Sequence, residues 1–143
     1  TALAGGDKLG EVQALGAEAV LPRDADLVAS LGENSFDLVI DVVGGAGFPT
    51  MLRLLRPGGR YATAGAIAGP LVELDLRTLY LKDLSLHGCT VLGEGVFAEL
   101  VGHIAAGRIR PVIERVFDAA DAAAAHTLME SSQHVGKLVL RWA

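Results

Sequence analysis

The chain has 143 residues, 51% apolar and 20% charged, with a net charge of −5 and a mean hydropathy of +0.42, which is enough to bury one core and too apolar for a disordered segment. The acidic balance excludes a basic stripe for nucleic acid or a polybasic tract for an anionic membrane, and charges, Gly or Pro interrupt every apolar run before the roughly 20 residues that span a bilayer. The single Cys89 excludes an intrachain disulfide and a multi-cysteine metal site, and the start Thr1–Lys8 lacks the pattern of a signal peptide, so a cytoplasmic location is expected.

In chain order, Asp7 is placed to cap a helix through Leu9, Val12 and Leu15 that Gly16 ends. Ala19-Val20-Leu21 reads as a strand closed by Pro22, and Asp24 as the cap of a short helix with Leu27, Val28 and Leu31, ended by Gly32. FDLVIDVV (36–43) is the strongest strand signal, nearly continuous in apolar character and bounded by Gly44-Gly45. A helix with Met51, Leu52, Leu54 and Leu55 stops at Pro57-Gly58-Gly59, and Arg60 to Ala64 forms the next strand. Leu76 to Leu81 is expected helical, Leu84 to Val91 a strand, and Val96 to Ile104 a helix ending near Gly107. Val112 to Phe117 is a strand, Asp121 starts an Ala-rich helix, and Gly136 to Leu140 is the last strand. Such alternation predicts an α/β fold with a doubly wound, mainly parallel sheet covered on both faces.

In sheets of this kind ligands bind beyond the carboxyl ends of the strands. The candidate site therefore comprises Val43-Gly44-Gly45, Gly65-Ala66-Ile67 and Thr90-Val91-Leu92. Glycine there admits a ligand to the backbone, although glycines also make plain tight turns at strand ends.

Taken in order, Leu15-Gly16-Ala17, FDLVIDVVGG (36–45), LLRPGGRYATAG (54–65), LYLKDLSLHG (79–88) and GKLVL (136–140) carry a pattern. It resembles the later part of the Rossmann-like cofactor domain in the medium-chain dehydrogenase/reductase superfamily, in its zinc-type alcohol dehydrogenase and quinone reductase branch. The resemblance implies an oxidoreductase that passes hydride between a nicotinamide and a small carbonyl, alcohol or enone. By position it assigns Val43 and Gly44 to the nicotinamide ribose, and Gly65, Ala66, Thr90, Val91 and Leu92 to the flanks of the nicotinamide. Leu3 stands where NAD-preferring members carry an acidic residue, and Lys8 where NADP-preferring relatives often place a cation against the 2′-phosphate. NADP(H) is thus favoured over NAD(H), with Arg23 at the adenine edge. The resemblance further implies that residues 1–143 form the C-terminal portion of such a domain, without its first strand, Gly-rich loop and substrate domain. Weak dinucleotide binding and no turnover by the chain alone are expected, with any zinc held elsewhere.

Gly93-Glu94-Gly95 imitates a phosphate loop, but Glu94 would set a carboxylate beside a pyrophosphate. Asp41, inside an apolar strand, is expected to anchor adjacent loop amides rather than act as a catalytic acid. Cys89 reads as a core cysteine and His87 as a surface histidine. His103, His126 and His134 lack metal-ligand spacing and are expected at helix surfaces. The edge strand 112–117 offers a pairing edge for a homodimer, with Glu114 and Arg115 as its counter-signal. Two other readings stay open. One is a methyltransferase-like domain using S-adenosylmethionine, because Phe-Asp-Leu-Val followed by Leu-Arg-Pro-Gly-Gly suits that fold too. The other is a non-catalytic assembly module.

Overall fold

The computed structural model describes residues 1–90 and 93–142, so the expected site positions Val91 and Leu92 lie outside the described residues. The elements in chain order are β1 (Ala2–Ala4), α1 (Leu9–Ala14), β2 (Val20–Pro22), α2 (Leu27–Leu31), β3 (Phe36–Asp41), α3 (Phe48–Leu54) and β4 (Leu55–Thr63). They continue with α4 (Leu76–Leu81), β5 (Ser85–Gly88), α5 (Val96–Ala105), β6 (Ile113–Asp118), α6 (Ala122–Glu130) and β7 (Lys137–Arg141). The chain divides into two compact units, Thr1–Arg23 with Leu92–Ala143, and Asp24–Val91.

A crossover helix between strands returns the chain in the same direction, so alternation demands parallel pairing. Every ladder among the described residues is parallel, joining β1 to β2, β3 to β4, β4 to β5 and β6 to β7. The α/β class with parallel pairing is as the sequence predicts, and the ladders among the described residues form sets of two, three and two strands. The terminal antiparallel hairpin of a methyltransferase-type sheet is not formed among these residues.

Local chemistry moves several boundaries. Asp26, and not Asp24, caps α2: its extended backbone lets Oδ1 accept from Ala29 N at 3.0 Å. Asp7 caps nothing, because a single 3-10 turn at Gly6–Lys8 absorbs it before α1 begins. Asp75 caps α4 by accepting from Arg77 N at 2.9 Å. Helix α3 stops at Leu54, and Leu55 already faces Phe36 across the ladder. The next pair is Leu38 with Arg60, so residues 56–59 bulge out of register. Lys82 closes the end of α3: its Nζ donates to Leu52 O at 2.9 Å and Arg53 O at 3.1 Å, while its own carbonyl accepts from Gly58 N at 2.7 Å.

The core of the Asp24–Val91 unit is Phe48, Leu52, Leu55, Tyr61 and Leu84, flanked by Phe36, Val39, Met51, Leu74 and Leu79. It occupies one face of the β3-β4-β5 sheet. The expected two-sided cover is corrected on β3, where Leu38 and Ile40 on the opposite face are exposed. Leu55 is wholly buried, so Leu55→Ala is expected to cost about 2–5 kcal/mol. Urea unfolding followed by circular dichroism measures this, and a loss below about 1 kcal/mol would contradict the placement of Leu55 at the core's centre.

Candidate functional site

The C-terminal ends of β3, β4 and β5 converge on an open cavity of about 530 Å³, within the size range of small-molecule sites. Gly44 comes from the end of β3, Thr63, Gly65 and Ala66 from the end of β4, and Cys89 and Thr90 from the end of β5. Phe48, Tyr61 and Pro70 complete its apolar wall.

Asp41 organises the first of these loops. The strand places it two residues beyond Val39 on the core face, where it is 9% exposed. Its Oδ1 accepts from Val43 N at 2.7 Å and Gly44 N at 3.1 Å, and its Oδ2 accepts from Tyr61 Oη at 2.6 Å. Burial pushes the carboxyl upward, but the bonds from Tyr61, Val43 and Gly44 outweigh it and hold the group below its ordinary value. Burial, then the hydrogen bond and charge of Asp41, push the Tyr61 phenol well above its usual range. Asp41 is therefore the loop anchor that its position in an apolar strand predicts. Tyr61 was not predicted from the sequence, since its role depends on strand register.

The loop after β3 is fastened to the loop after β4. Val43 O accepts from Ala68 N at 2.9 Å, and Gly45 N donates to Gly69 O at 3.0 Å. Close approach explains two glycines. A Cβ on Gly45, at φ +67°, would lie 2.7 Å from Ala68 O, and one on Gly65 would lie 2.9 Å from Val42 O. Among the described residues, the backbone N–H groups of Gly65 and Ala66 have no hydrogen-bond partner. They are donors left over at the cavity wall, while the amides of Val43 and Gly44 are committed to Asp41.

The expected residues thus divide. Gly44, Gly65, Ala66 and Thr90 come together at the cavity; Val43 contributes through its backbone bonds. Lys8 lies in the other compact unit, where Nζ donates to the carbonyls of Ser132 and, at 2.8 Å, of His134. Arg23 is exposed beyond β2. Cys89 is corrected from core to exposed, because β5 ends at Gly88 and leaves it past the paired strand. His103 and His126 are exposed, as expected. His134 is corrected: it follows α6, half-buried, and its Nδ1 lacks a partner among the described residues. Those residues contain no cluster of three or more His, Cys, Asp or Glu placed to hold a metal, and no helix long and apolar enough to cross a membrane.

Residues 15–140 match the family model described as zinc-binding dehydrogenase. A candidate alcohol dehydrogenase from Sinorhizobium meliloti 1021 superposes with a TM-score of 0.87 at 41% identity, covering 99% of this chain and 40% of that one. The quinone oxidoreductase of Lama guanicoe is 32% identical over 118 residues, 78% of this chain and 35% of that protein. The spectinabilin polyketide synthase system protein NorB of Streptomyces orinoci is 35% identical over 121 residues, 76% of this chain and 5% of that protein. The chain therefore spans well under half the length of these relatives.

Asp41→Asn is expected to lower stability at neutral pH by weakening the bonds to Tyr61 and the two amides. A depressed carboxyl contributes fully above its unfolded value, about pH 4, and loses that contribution as pH falls through the folded value. The gap between wild type and variant should therefore shrink below about pH 4. Urea midpoints collected across this range measure it, and a gap independent of pH would contradict the assignment.

Proposed function

Because the chain belongs to the zinc-binding dehydrogenase family, we propose that it supplies the nicotinamide-side wall of a dinucleotide site in an NAD(P)H-dependent oxidoreductase. The substrate class is a small carbonyl, alcohol or enone. The observation that carries this reading is the convergence of three strand ends on one cavity, with the Gly65 and Ala66 N–H groups unpartnered at its wall.

The residues fit such a group. Gly44 lines the cavity at the turn after β3, on the side proposed for the ribose, and Thr90 lies at the end of β5. The Gly65 and Ala66 amides supply donors for the carboxamide oxygen, fixing which ring face is presented. Phe48 and Pro70 give part of the cavity an apolar lining. When bound, the nicotinamide supplies the hydride. The chain's own part is to orient it with fixed dipoles. We propose NADP(H) over NAD(H), with Lys8 as the 2′-phosphate cation. Its ammonium has two carbonyl partners, so one donor remains for phosphate and the preference is small. We further propose that this chain alone binds the dinucleotide weakly and does not turn over.

Titration of ¹⁵N-labelled chain with NADPH, NADH and S-adenosylmethionine tests the reading. Both dinucleotides should shift the amides of Gly44, Gly65, Ala66 and Thr90, NADPH slightly more tightly, with dissociation constants of about 0.1–1 mM. Shifts produced by S-adenosylmethionine alone would reverse the assignment, and low-micromolar NADPH affinity would show that the site is complete without further sequence.

A second setting, a reductase segment within a multidomain synthase, is favoured by the similarity to a polyketide synthase system protein. The coding sequence on either side of this chain distinguishes it from a free-standing enzyme. We also propose that β6 pairs across a two-fold axis, since Ile113 and Val116 are exposed and its described ladder uses β7 alone. Sedimentation velocity at high micromolar concentration should find a dimer; a monomer there removes this proposal.

A further inference from the structure

Tyr61 belongs to the cavity's inner wall, 3% exposed, with its ring packed edge-on against Phe48 at 5.2 Å between centroids. That contact accounts for the ring. It does not account for the hydroxyl, which is bonded to a carboxylate whose other oxygen holds the turn after β3. A carboxylate rotates readily about its terminal torsion. With Oδ2 pinned by Tyr61, Oδ1 stays aimed at the Val43 and Gly44 amides. The constraint continues outward, because Val43 O accepts from Ala68 N and Gly45 N donates to Gly69 O. The segment 65–69 that carries the two unpartnered amides is thereby tied to the Tyr61 hydroxyl through an unbroken set of short bonds.

We propose that Tyr61 is a positioning residue for the dinucleotide, acting through Asp41 and the Val43–Gly44 turn to hold the Gly65 and Ala66 amides in register with the ligand. The proposal deepens the dinucleotide reading above and rests on it. Tyr61→Phe isolates the effect, since it keeps the ring against Phe48 and removes only the hydroxyl. Asp41 Oδ2 is then buried without its donor, which favours rotation of the carboxylate away from the turn.

The test combines amide hydrogen exchange with NADPH titration of the full chain, wild type beside Tyr61→Phe. The Val43 and Gly44 amides should exchange about 10-fold faster in the variant, while the paired β4 amides of Tyr61 and Ala62 change less than about 2-fold. The NADPH dissociation constant should rise about 3- to 10-fold. Should the variant fail to fold, Asp41→Asn provides the same two readouts with the same expected direction. A wild-type chain whose Gly44, Gly65 and Ala66 amides ignore NADPH removes the dinucleotide reading and this proposal with it. A wild-type response left unchanged by the substitution overturns the positioning role alone and leaves the reading intact. Faster exchange spread evenly over β3 and β4 also overturns it, because that marks general loosening of the core.

Discussion

A carboxylate buried at the end of an apolar strand costs several kcal/mol unless its oxygens are bonded. Asp41 meets that demand with the Val43 and Gly44 amides of its own following turn and the hydroxyl of Tyr61 on a neighbouring strand. The chain leaving β3 must therefore bend where the carboxylate can reach it, which sets the path of Gly44 and Gly45 beside the loop after β4. Ala64 N, donating to Asp41 O at 3.0 Å, extends the β3–β4 ladder to the same point. Backbone and side chain of one residue thus hold both loops that line the cavity. The remaining wall follows from β5 pairing in register, Thr63 with Gly88, which delivers Cys89 and Thr90.

Much of this was legible in the residues. Phe36 to Asp41 announces a buried strand, and a charge within it announces an anchor, because few other environments tolerate it. The strand ends with glycine, at Gly44 and Gly65, marked the cavity for the general reason that parallel strands open towards their carboxyl ends. Tyr61 was hidden, since its reach to Asp41 depends on Val39 facing Tyr61 and Asp41 facing Thr63. That register is set by a bulge at 56–59, where Pro57 and two glycines read locally as a helix stop and not as an interruption of a ladder. Lys8 was legible as a cation near a helix start. Its carbonyl partners, Ser132 and His134, lie more than 120 residues away, and no local pattern encodes such a contact. The exchange of Asp24 for Asp26 as a cap has a smaller cause, a helix that starts at Leu27, so the residue just before it takes the cap position.

Family membership explains why these features occur together, but the physical division of labour is narrower than the family's chemistry. Among the described residues, no titratable side chain at the cavity has both exposure and a bonded partner suited to proton transfer: Asp41 and Tyr61 are buried, and they satisfy each other. What the described residues offer a ligand is shape and backbone polarity, supplied by loops whose own hydrogen bonds are largely closed. Such a surface selects geometry and leaves reaction chemistry to the groups it orients.

The fastening of the two loops through Val43 with Ala68 and Gly45 with Gly69 has a thermodynamic consequence for any occupant. A flexible loop that orders on binding subtracts its lost conformational entropy from the affinity, on the order of 1 kcal/mol for each residue fixed. Here that ordering is completed during folding, so a ligand arrives at a preorganised rim. Variation in affinity between ligands should accordingly arise from how well their polar atoms meet the Gly65 and Ala66 amides, with little contribution from how well the rim can be induced to close.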